Sequence, residues 1–244
     1  MKISIVISVL DSHEVLRRQL VYLEKIGLPK DTEIIIADDG SVPELTYNGP
    51  LPVTIIKTHD FSGERKWTAS IARNRGAKIA RGEYLLMFDL DHVITRDCLN
   101  TVYEFGGDKV SFKREFGVLT EDGDLIQDLD LLLSYGFPMD RYKSRGFQIS
   151  PHPNMFAMKR DIFWKLGGYN EKVVLTRTYP QGEDGLLKGA WLEWERKTGA
   201  KVHEYRPIIY MFPCGRLCGH VDYDKFGLFH KMSRVNEKNP YCRA

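Results

Sequence analysis

The run Tyr84-Leu85-Leu86-Met87-Phe88 carries no charged side chain and stops on Asp89-Leu90-Asp91. Such a run leaves no residue for a wet face, so it suits a strand buried on both sides, as in the middle of a mostly parallel sheet. Ligand sites of such sheets lie beyond the strand ends. Two carboxylates one residue apart, where the chain leaves the sheet, are hard oxygen donors suited to Mg²⁺ or Mn²⁺ carrying a diphosphate. The plainer alternative is turn chemistry, because Asp is common where strands end. Asp128-Leu129-Asp130 repeats the three letters without an apolar strand before them, and there the carboxylates suit the start of a helix.

The first hundred residues alternate strand and helix patterns. Residues 3–10 read as a strand, and Asp11-x-x-Glu14 has capping-box spacing ahead of a helix with Leu16, Leu20 and Leu23 on one face. Gly27 and Pro29 stop that helix. Strands are expected at 33–37 and 53–57, then a helix over 68–80 whose Ala69, Ala72, Gly76 and Ala80 form a small-residue face, with Gly82 as its end. With the strand at 84–88 the order is β-α-β-β-α-β, half of a doubly wound sheet.

The second half is less regular. Strands are expected at 109–112 and 116–119, with a tight turn at Asp122-Gly123 before Leu125-Ile126. Residues 131–154 show aromatics, Gly and Pro without a period, which suits a substrate-facing loop region. A helix over 159–166 ends at Gly167-Gly168. Another over 183–197 places Leu187, Trp191 and Trp194 on one face and stops at Gly199. No linker, repeat or low-complexity stretch interrupts the chain, which reads as a single α/β domain.

Composition narrows the function classes. The 244 residues carry 35 Lys and Arg against 33 Asp and Glu, so a net charge of +2 gives no footprint that demands a polyanion. The four cysteines form no Cys-x-x-Cys pair, so a reducing compartment is the default. No signal-peptide pattern opens the sequence, and no apolar run approaches the ~20 residues of a membrane span, so a cytoplasmic protein without a membrane span is expected. Residues 8–13 contain no glycine. That removes the Gly-rich turn a dinucleotide-dependent dehydrogenase needs, and it argues against a sugar-nucleotide pyrophosphorylase.

Four pieces in order carry a resemblance: Ile34-Ile35-Ile36-Ala37-Asp38-Asp39-Gly40-Ser41, Ala72-Arg73-Asn74-Arg75-Gly76, Gly82-Glu83-Tyr84 and Asp89-Leu90-Asp91. Their order and spacing resemble the nucleotide-binding half of family 2 glycosyltransferases with the GT-A fold. The likeness continues through Lys159-Arg160-Asp161, Gly167-Gly168-Tyr169-Asn170-Glu171 and Gly182-Glu183-Asp184. The first strand departs from it, ending in Ser8-Val9-Leu10-Asp11 where the family usually has a Pro-Thr-Tyr-Asn-like turn. The segment Pro213 to Val221 is similar to one in polypeptide N-acetylgalactosaminyltransferases that delivers a histidine to the metal. Cys214, Cys218 and His220 also admit a zinc reading, but a structural zinc site wants four ligands and no fourth stands at a usual spacing.

The resemblance implies a Rossmann-like, mostly parallel sheet flanked by helices, with residues 1–92 binding the nucleotide sugar and 93–244 binding the acceptor and supplying catalysis. It implies Asp39 as the carboxylate that accepts the pyrimidine N3–H, with Asp38 packing or touching ribose. Arg73, and more weakly Lys66, would meet the diphosphate together with Asp89, while Asp89, Asp91 and His220 would hold Mn²⁺ or Mg²⁺. Asp184 would take the proton of the acceptor hydroxyl, giving inversion. The donor expected is a UDP-sugar. The acceptor expected is a saccharide or lipid-linked saccharide, with protein or nucleic acid as rarer options, and a noncatalytic nucleotide-sugar-binding module is the competing reading. Tyr135, Phe137, Tyr142, Phe147 and His152 are rings that could stack on a sugar or a base, or simply pack.

Overall fold

The computed structural model describes residues 1–58, 68–128, 130, 151–172 and 183–200, and the backbone of 205–211. The strands are β1 (Ile3–Val9), β2 (Thr32–Asp38), β3 (Val53–Lys57), β4 (Tyr84–Phe88), β5 (His92–Val93), β6 (Lys109–Phe116), β7 (Val118–Leu119), β8 (Leu125–Ile126), β9 (Phe156–Lys159) and β10 (Tyr205–Met211). The helices are α1 (His13–Ile26), α2 (Ala69–Ile79), α3 (Arg96–Glu104), α4 (Arg160–Lys165) and α5 (Glu183–Thr198). Eight strands form one sheet in the order β3-β2-β1-β4-β9-β6-β10-β5, and β7 and β8 make a separate antiparallel hairpin.

The first four strands of that order are all parallel, and β4 lies beside β1 as its apolar run requires. Tyr84, Leu86 and Phe88 enter one hydrophobic cluster with Leu16, Leu20 and Leu23 of α1 and Leu99 and Val102 of α3. Leu85 and Met87 enter the other, with Ala77 of α2, Phe163 of α4 and Leu187 and Trp191 of α5. Period-two side chains thus feed two cores, and helices cover both faces. Trp194 is partly buried against the second core, so the expected inner face of α5 holds. The edge strand β3 is only half covered.

The small face of α2 lets it lie close on the sheet, where a Cβ on Gly76 would fall 2.6 Å from Val6 Cγ1. Gly82 is not the end of that helix, which stops at Ile79 with Ala80 as its cap. It instead permits contact with β1: its N–H donates to Ser4 Oγ at 2.8 Å, and a Cβ there would lie 2.5 Å from the Ser4 nitrogen. The expected capping box at Asp11 also fails. Asp11 adopts φ 48° and accepts the Val42 N–H at 2.8 Å, Ser12 is the cap residue, and Glu14 pairs with Arg17 and Arg18. A contact across the loops has displaced the local one.

In the second half, residues 109–116 form one strand instead of stopping at 112, because β6 pairs parallel with β10 through Phe116. Strand β9 runs antiparallel between β4 and β6. Neither β5, β9 and β10 nor α3, capped by the Thr95 hydroxyl accepting the Cys98 N–H at 3.2 Å, is evident from periodicity. Of the expected loop, only 151–154 fall among the described residues, and they form neither strand nor helix. No described helix is long and apolar enough to cross a membrane.

Candidate functional site

Because β1, β2 and β4 are parallel, their carboxyl ends open on the same side. From β1 the chain steps outward to β2 and β3 and then crosses back through α2 to β4 on the other side of β1, the kind of position where doubly wound sheets bind ligands.

Asp38 closes β2 and makes the turn contact, its Oδ1 accepting the Ser41 N–H at 2.7 Å. Asp39 reaches the other way, to the start of α2. Its Oδ2 accepts the Thr68 N–H at 2.6 Å, and its Oδ1 accepts the hydroxyls of Thr68 at 2.6 Å and Thr58 at 3.2 Å. It is 2% exposed, and burial pushes its carboxyl up to about 6 despite the two Thr68 hydrogen bonds, which pull the other way.

Beyond β4, Asp89 and Asp91 remain partly exposed, at 18% and 21% of their side chains. Arg73, buried on α2, donates from Nη2 to Asp89 Oδ1 and stands over the Tyr169 ring at 5.4 Å. It therefore does not lie on a solvated helix face. The segment entering β9 meets the same carboxylate: His152 Nδ1 lies 3.3 Å from Asp89 Oδ2, and the Asp89 N–H donates to Met155 Sδ at 3.1 Å. Burial pushes the His152 imidazole down, against the pull of Asp89.

Asp91 has its own partner. His92 Nδ1 lies 2.6 Å from Asp91 Oδ1, and Arg114 Nη1 of β6 lies 3.2 Å from His92 Nε2. The turn backbone is held from beneath by Gln19 of α1, whose Nε2 donates to Leu90 O at 3.1 Å and to His92 O. Asp89, Asp91 and His92 can offer one ligand atom each within 4.8 Å of one another. Two partly exposed carboxylates on one short turn fit a hard divalent cation.

The sequence-derived residues Asp39, Arg73, Asp89 and Asp91 thus gather at the carboxyl side of the sheet. Asp184 is the second residue of α5, and its Oδ1 accepts the Gly185 N–H at 2.8 Å. At i, i+3 and i+7 it shares the helix face of buried Leu187 and Trp191. Lys66, His220, Cys214 and Cys218, with Tyr135, Phe137, Tyr142 and Phe147, lie outside the described residues. The second Asp-x-Asp is different in kind: Asp128 and Asp130 are exposed.

Sequence reading missed Gln19, His92 and Arg114. Gln19 had a signal, a polar residue on the apolar face of α1 between Leu16 and Leu20. His92 stands next to the carboxylate pair. Arg114 had none, because its approach depends on how β6 is placed in the sheet.

The family model for glycosyl transferase family 2 matches residues 4–167. No curated protein matches the sequence. Among solved structures, S. aureus TarS 1–349 superposes with a TM-score of 0.58 at 16% identity, covering 87% of this chain and 61% of that one. The complex of the same protein with UDP gives 0.58 and 16%, covering 87% and 60%. Its complex with UDP-GlcNAc gives 0.55 and 16%, covering 87% and 58%. The chain spans about three fifths of the length of TarS 1–349.

Proposed function

The chain belongs to glycosyl transferase family 2 and has the GT-A fold, and from that premise we propose that it moves a sugar from a UDP-sugar to an acceptor hydroxyl with inversion. The observation that carries the reading is the Asp89-Asp91 turn at the end of β4, with Arg73 held against Asp89 and Asp39 buried beyond the neighbouring strand end. The UDP and UDP-GlcNAc complexes of TarS, a protein of the same fold, support the donor class.

In this reading residues 1–92 bind the nucleotide sugar and 93–244 bind the acceptor and supply the base. Asp39 accepts N3–H of the uracil, and Arg73, with Lys66, contacts the diphosphate. Asp89, Asp91 and His220 would hold Mn²⁺ or Mg²⁺, which when bound supplies positive charge that neutralises the departing diphosphate. Asp184 takes the proton from the acceptor hydroxyl as its oxygen bonds to the anomeric carbon and the bond to UDP breaks. A saccharide or lipid-linked saccharide is the proposed acceptor.

Calorimetry of UDP binding tests this directly. Two or more negative charges on the diphosphate face Asp89 and Asp91, so affinity should be high with Mn²⁺ and fall sharply in EDTA. Equal affinity in both overturns the metal assignment. UDP binding with neither hydrolysis nor transfer from any UDP-sugar overturns the enzyme reading in favour of a binding module.

A further inference from the structure

His92 lies close enough to Asp89 and Asp91 to pass for a third cation ligand. Its neighbours assign it another role. A guanidinium offers only N–H groups, so Arg114 Nη1, 3.2 Å from His92 Nε2, makes that nitrogen an acceptor without a proton. The ring proton is then on Nδ1, which donates to Asp91 Oδ1 across 2.6 Å. The His92 side chain is 2% exposed, its backbone pairs with Met211 in the sheet, and its carbonyl is held by Gln19. To ligate through Nδ1 the ring would have to shed that proton and deprive Asp91 of its donor. To ligate through Nε2 it would have to leave Arg114 and turn over inside a closed core.

We propose that His92 is a positioning residue of the cation site: it holds Asp91 by Oδ1, and Arg114 fixes the tautomer that lets it do so. This reverses the usual order, in which a carboxylate orients a ligating histidine. The inference rests on the reading of Asp89 and Asp91 as cation ligands.

The test begins on metal-free protein carrying ¹⁵N-labelled histidine, with the His92 ring signals assigned by their loss in His92→Asn. Proton–nitrogen correlations should show Nδ1 protonated and Nε2 bare; the opposite tautomer overturns the inference. Mn²⁺ is then titrated by electron paramagnetic resonance into wild type, His92→Asn and His92→Phe. The Asn amide can replace the Nδ1 donor and should keep affinity within about threefold, whereas Phe, which cannot donate, should lose about tenfold or more. Any nitrogen coupling to Mn²⁺ in the wild type should persist in His92→Asn. Its disappearance there, or wild-type affinity in His92→Phe, overturns the positioning role. If His92→Phe does not fold, the tautomer and the His92→Asn spectrum still decide. A wild type that takes up no Mn²⁺ overturns the metal reading itself, a result distinct from the wrong tautomer.

Discussion

Thr68 closes on both oxygens of Asp39, its N–H on Oδ2 and its hydroxyl on Oδ1, each at 2.6 Å. The contact ties the end of β2 to the start of α2, so the residue read as the base contact and the helix that carries Arg73 are set by one carboxylate.

That carboxylate should leave a mark on stability. Its folded value of about 6 lies above its ordinary 3.8, so the folded state holds the proton more tightly. Its contribution is therefore favourable at low pH and is lost as pH rises through this window, by on the order of 3 kcal/mol in full. Asp39→Asn can keep the Thr68 and Thr58 contacts without the buried charge. Urea unfolding should find the variant more stable than wild type above about pH 6 and no better below about pH 4. Parallel curves across that range would contradict the assignment. The same variant should bind UDP more weakly if Asp39 reads the base.

Arg73 and a cation would share Asp89. Arg73→Met keeps most of the bulk over Tyr169 and removes a positive charge from Asp89. Mn²⁺ affinity without nucleotide should rise severalfold while UDP affinity falls by about tenfold, the loss of a charged hydrogen bond. Arg73→Lys should not restore UDP binding, because it lacks the planar fork. Unchanged UDP affinity in Arg73→Met would remove Arg73 from the diphosphate site.

Gln19 supplies one side-chain amide to two carbonyls of the Asp89–His92 turn. Gln19→Met should cost about 2 kcal/mol, as expected for carbonyls left short of a buried donor. Gln19→Glu should be worse, since it sets a carboxylate against those oxygens. Melting curves and Mn²⁺ titration read the two effects. A Met variant with wild-type melting and wild-type Mn²⁺ affinity would show that the turn holds itself.

Asp184→Asn keeps size and capping ability and removes the proton acceptor. Transfer should drop by about 10² to 10⁴ with UDP affinity nearly unchanged. A residue serving only the helix start would leave turnover intact. Product NMR should show the anomeric configuration inverted, and a retained configuration would overturn single displacement.

The local chemistry of the sequence determined the strand and helix order of the first half of this protein. An unbroken apolar run at 84–88 admits a doubly covered strand, small residues on α2 admit close packing, and the Asp-x-Asp pair marks the strand end as the candidate site. Those features act within a few residues, so they are legible without knowing what lies next to them. Only tertiary structure decided that β9 enters antiparallel between β4 and β6, bringing His152 to Asp89. The same holds for Asp39 turning to Thr68, and for Arg114 and Gln19 closing on the Asp89–His92 segment from β6 and α1. Each is a pairing between residues far apart in the chain, selected by sheet register and by buried polar groups finding partners, neither of which a local pattern encodes.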